Sequence, residues 1–122
     1  MTSTAAPAAS ARPARGRRAA DLLQRELPEA VVRVDEQAGE VTVLVHVEHL
    51  IGALTLLRDH DDAAYSMPLF VTAVDWPDRE PAAPRFDVVY QLRSLQYNDD
   101  CRLVVQVPEE APRVPTAERV FA

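Results

Sequence analysis

Lysine is absent from this chain of 122 residues: all thirteen basic side chains are arginine. Glycine occurs three times and cysteine once, as Cys101. A lone cysteine excludes an internal disulfide and suits the chain to a reducing compartment. No run reaches the ~18 apolar residues that a helix needs to cross a bilayer, so direct membrane insertion is not expected. Acids are missing from the first twenty residues, where Arg12, Arg15, Arg17 and Arg18 fall. The remainder carries nine arginines against nineteen carboxylates, a net charge of −10. Such a body repels phosphate, which argues against nucleic acid as a partner.

Length leaves room for one domain. The segment 1–18 is rich in Ala, Pro and Ser and lacks bulky apolar side chains beyond its initiator Met. It buries too little to offset its ordering entropy, so a disordered tail is expected, with the folded domain running from Ala19 to Ala122. The tail has no apolar core after its arginines and is not a secretory signal; its Arg- and Ser-rich, acid-free start also resembles an organelle transit peptide.

Within the domain the hydrophobic period changes several times. AADLLQREL places Leu22, Leu23 and Leu27 on one helical face before Pro28. Two β-like runs, Ala30–Asp35 and Glu40–His46, flank a turn at Gly39 and predict a hairpin. From Val47 to His60 apolar residues recur at helical spacing, with Gly52 suggesting close packing on a sheet. Met67–Trp76 is mostly apolar and reads as a strand buried on both faces or at the sheet centre. Phe86, Val88, Tyr90 and Leu92 alternate with Asp87, Gln91 and Arg93, a regular strand signal. Asn98–Asp100 reads as a turn, Cys101–Val107 as a returning strand, and Thr116 as the cap of a last short helix. The expected fold is α+β: helices on one mostly antiparallel sheet, in the order α-β-β-α-β-β-β.

Candidate chemistry is sparse. His46 and His49, with His60 further on among Asp59, Asp61 and Asp62, have the residue types of a metal site but no spacing that fixes convergence. Cys101 follows two aspartates, which oppose thiolate formation, and reads as a buried structural thiol. The carboxylates Asp75, Asp78, Glu80 and Asp87 lie among Arg79, Arg85 and three prolines, a setting that keeps them ionised and paired rather than poised to donate protons. No Gly-rich phosphate loop and no nucleophile elbow is present. The residues predict no catalytic group in this chain.

Val74-Asp75-Trp76-Pro77, then Arg79, then Pro84-Arg85-Phe86-Asp87-Val88-Val89-Tyr90, Leu92 and Ser94-Leu95 form a long and unusual pattern. Arg102, Val107-Pro108-Glu109 and Val114-Pro115-Thr116 continue it. This pattern resembles the C-type subunit of NADH–quinone oxidoreductase, the thirty-kilodalton subunit family of respiratory complex I, over roughly Leu22 to Phe121. Pro81-Ala82-Ala83-Pro84 reads as a short insertion relative to the family, and the family's acid-and-arginine signature, which follows the helix starting near Thr116, is expected to lie beyond Ala122.

The resemblance implies a non-catalytic subunit of the peripheral arm with no flavin, iron–sulfur cluster or metal of its own. It implies packing against the D-type quinone-site subunit, on the cytoplasmic face of a bacterial inner membrane or, alternatively, the matrix side of a mitochondrial one. The charged loop and strand then read as an interface, with Asp75, Arg79, Arg85 and Arg93 as its candidate residues. Two alternatives stay open: the homologous subunit of a membrane-bound hydrogenase or formate-hydrogen lyase, and a free-standing metal-binding α+β protein using His46, His49 and His60.

Overall fold

The structure, a computed structural model, describes residues 13–80, 83–110 and 113–121. Helix α1 (Arg17–Glu26) buries Ala19, Ala20, Leu22 and Leu23 and stops ahead of Pro28. Strands β1 (Val31–Gln37) and β2 (Glu40–Val45) form the expected hairpin. Its turn uses Gly39 at φ +81°, a conformation open to glycine without a Cβ penalty. Helix α2 (Leu50–Asp59) buries Leu50, Ala53, Leu54 and Leu57. Strands β3 (Met67–Asp75), β4 (Phe86–Ser94) and β5 (Asp99–Val107) follow, and then a single turn of helix, α3 (Glu118–Phe121), whose Glu118 N–H donates to Thr116 Oγ1.

The five strands make one sheet in the order β1-β2-β5-β4-β3. Three of the four pairings are antiparallel and one, β2 with β5, is parallel, so the sheet is mixed. Alternation sets the core face: Val41, Val43 and Val45 from β2, Leu103, Val105 and Val107 from β5, and Tyr90 and Leu92 from β4 meet the two helices and buried Tyr65. Each of the larger side chains fully buried there is worth about 1.5–3 kcal/mol. On the opposite face Leu44 and Val104, paired in register, are also buried, outside the cluster that the described helices cover. Arg33 and Arg102, beside them in the register, have aliphatic stems suited to shielding such positions.

Three expectations need correction. The strand expected over Met67–Trp76, buried on both faces or at the sheet centre, spans Met67–Asp75 at the sheet's edge, and all but one of its residues are exposed. An apolar run with a strand's residue types fixes the element but not its place in the sheet. The folded structure also begins before Ala19. Arg15 pairs with Glu40 as a parallel bridge, its N–H donating to Gly39 O and its carbonyl accepting from Val41 N–H. Gly16 caps α1 at φ +89°, and a Cβ there would meet Val41 O at 3.0 Å. A segment with little apolar surface is thus held by backbone bonds to a strand; residues 1–12 of the expected tail lie outside the described ones. Finally, Gly52 is exposed, with only Leu27 Cδ2 at 3.7 Å from an added Cβ, so close packing does not require it.

Candidate functional site

The β4 strand and the loop before it arrange their charges by register. The β4–β5 hairpin aligns Arg93 with Asp100 on the face away from the helices. The guanidinium donates Nε to Oδ1 at 2.7 Å and Nη2 to Oδ2 at 3.2 Å, while Arg15 approaches the same carboxylate at 3.4 Å. Near the start of β4, on the same face, Asp87 receives Arg79 in a second fork, at 2.9 and 3.0 Å, and the Trp76 indole N–H at 3.2 Å. Arg79 is further held by Pro84 O at 3.0 Å and lies over the Trp76 ring. The third fork joins Arg85 to Asp75, at 2.6 and 3.0 Å, with Glu109 at 3.2 Å from Arg85 Nη1.

The structure therefore brings Asp75 and Arg85 together and gives Arg79 and Arg93 carboxylates of their own, Asp87 and Asp100. Hydrogen bonds from Arg85 and Arg93 hold Asp75 and Asp100 below the usual carboxylate range, and the three arginines are pushed up in return. Carboxylates so fixed stay ionised near neutral pH and offer no proton to a substrate. Sequence spacing around the 95–98 turn would have matched Arg93 with Asp100; the Arg79–Asp87 fork depends on how the proline loop folds back and left no signal in the sequence.

The other candidates separate. His46 and His49 stack edge to face with ring centroids 6.4 Å apart, while His60, at the far end of α2, accepts the Asp62 backbone N–H on Nδ1. Among the described residues no three His, Cys, Asp or Glu side chains converge as metal ligands. Cys101 is buried on the core face, and burial, reinforced by Asp99 and Asp100, pushes its thiol well above the ordinary value. It packs within the core cluster, with Leu92 and Leu103.

A cavity of about 650 Å³ lies between α1 and the 97–99 turn, lined by Arg15, Arg17, Arg18, Arg25, Asp62 and Tyr97 among others. Its arginines are engaged: Arg17 with Glu36, Arg25 with Asp62, and Arg18 over the Tyr97 ring at 3.8 Å. A smaller hollow, about 310 Å³, lies beside the Trp76–Arg85 loop and Glu109.

Residues 43–122 match the family model described as Respiratory-chain NADH dehydrogenase, 30 Kd subunit. The chain belongs to this family. The NADH-quinone oxidoreductase C subunit of Brucella abortus (strain 2308) is 40% identical over 99 residues, which cover 81% of this chain and 47% of that protein. The C subunit of Rhodospirillum rubrum is 34% identical over 100 residues, covering 82% and 45%. The chain thus spans about half the length of these curated relatives. A chain of the membrane-bound sulfane sulfur reductase, an archaeal respiratory membrane complex, shares the fold, with a TM-score of 0.66 over 84% of this chain and 56% of that one at 17% identity. The 30 kDa-family match begins within β2, so the docked Arg15–Gly16 segment and α1 lie ahead of it.

Proposed function

We infer that the chain serves as a non-catalytic subunit in the peripheral arm of a proton-pumping NADH–quinone oxidoreductase. In this reading it supports electron transfer from NADH to quinone by packing against the D-type quinone-site subunit, on the cytoplasmic face of the membrane. Family membership motivates the complex. The observation that carries the non-catalytic role is the state of the charged groups. The acids nearest the family-like stretch, Asp75 and Asp87, are consumed in forks with Arg85 and Arg79. In this reading no flavin, cluster or metal belongs to this chain, and Asp75, Arg79, Arg85 and Arg93 set partner register rather than act as a reactive centre.

A second reading, the equivalent subunit of a related respiratory complex, is favoured by the shared fold with the sulfane sulfur reductase chain. Affinity purification of the tagged chain from detergent-solubilised membranes separates the two. Recovery of the NADH-oxidising and quinone-site subunits supports the first; recovery of a hydrogenase-type or sulfur-reductase-type large subunit supports the second. Recovery of the chain alone would refute both.

A further inference from the structure

The two edges of the sheet are defended unequally. Edge strand β1 carries Arg33, Asp35 and Glu36, and its register is interrupted between Val31 and Arg33. Charges and bulges of this kind discourage another strand from pairing. At the opposite edge β3 has no charge from Met67 to Val74, and its one acid, Asp75, is held by Arg85. The irregularity between Pro68 and Phe70 leaves Phe70–Asp75 as an unbroken ladder with β4. Both faces of this edge are apolar and open: Phe70 is 47% exposed on one face, Val71 54% on the other, and Trp76, just past the end, 47%. Alternate N–H and C=O groups of an edge strand point away from its only neighbour and need partners when covered.

We propose that β3 accepts an extended strand from a neighbouring protein subunit, enlarging the sheet to six strands, with Trp76 as a side-chain anchor beside it. The proposal rests on the subunit role above. The chemistry of the edge selects the occupant. Unpaired backbone groups call for polypeptide in β conformation, and apolar side chains on both faces call for an occupant apolar on both faces. With no free cation between Met67 and Val74, the strip offers nothing to phosphate or to an anionic lipid surface. A second copy is disfavoured by charge, because pairing β3 with itself would join two bodies of net charge −6. A neutral or basic subunit meets no such repulsion.

Hydrogen exchange of the full chain, free and within the complex purified through a tag on another subunit, reads this directly. In the free chain alternate amides of Phe70–Asp75 should exchange fast. In the complex they should slow by on the order of a hundredfold or more, since a paired amide exchanges only through local opening. Val71→Glu, at an exposed site, should leave the chain folded and reduce its recovery in the complex, whereas Val32→Glu on the β1 edge should not. Unchanged β3 exchange in a complex that retains the chain would overturn strand addition and leave the subunit role standing. A free chain that is already a dimer with β3 protected would also overturn it, and absence of the chain from the complex would overturn both.

Discussion

Tyr65 Oη donates to Asp99 Oδ2 at 2.5 Å across the interior, and the same carboxylate accepts the Gly16 N–H at the start of α1. One side chain thus ties together the loop after α2, the first residue of β5 and the N-terminal cap. Replacing Asp99 with alanine strands a buried hydroxyl and a backbone donor, a loss of about 1–3 kcal/mol. Tyr65→Phe should therefore cost less in the Asp99→Ala background than in the wild type. Urea unfolding of the four proteins of this double-mutant cycle measures the coupling; additive effects would show that the bond contributes nothing.

The same pair contributes to an alkaline limit. Burial, and then the bond to Asp99, raise the Tyr65 hydroxyl far above the ordinary tyrosine value. A raised folded pKa means that the contribution is full below the unfolded value, about 10, and is lost as pH climbs past it. At the other end Asp75 and Asp100 are depressed, so their contribution is present above about 3.9 and disappears as pH falls through the lowered values. Cys101, also raised by burial, adds its own loss from the ordinary thiol value of about 8.5 upward, so Tm should be nearly flat from about 3.9 to about 8.5 and fall on both sides. Tyr65→Phe should reduce the alkaline fall.

Two glycines should respond in opposite directions. Gly16→Ala must accept a left-handed conformation and a Cβ 3.0 Å from Val41 O, costing about 1–2 kcal/mol or more. Gly52→Ala lies exposed in α2, with only an ordinary contact to Leu27, and should stabilise by about 0.5–1 kcal/mol. Thermal denaturation of both variants checks the signs.

Reversing Arg93 to glutamate sets two acids against each other across the hairpin. Because the Arg93 side chain is partly exposed, the cost to the isolated chain should stay within about 1 kcal/mol. Swapping the pair, with Arg93→Glu and Asp100→Arg together, should recover only part of it, because the new arginine also faces Arg15. With Arg15→Ala in every variant the swap should recover most of the cost; a swap still no better than the single change there would mean that the fork is incidental.

Where sequence reading succeeded, local alternation carried the information. The inward phases of β2, β4 and β5 were legible because Val41, Tyr90, Leu103 and their i+2 neighbours repeat at the strand period. The parallel union of β2 with β5 was not, because it joins segments more than fifty residues apart. Strand β3 was legible as a strand and misplaced in the sheet, since an uncharged apolar run has the same pattern at a sheet's centre and at its edge. The Arg15–Gly16 anchor was hidden because backbone bonds leave no hydrophobic pattern. The site was half legible: the charged residues were visible, but their closure into intrachain forks required the register.

NADH–quinone oxidoreductase activity in membranes of a strain lacking this chain, measured alongside that of the purified chain, tests the subunit role most directly. The account predicts loss of inhibitor-sensitive activity in the deleted strain, its recovery on re-expression, and no NADH oxidation by the purified chain. Full activity in deleted membranes, or turnover by the isolated chain, would contradict it.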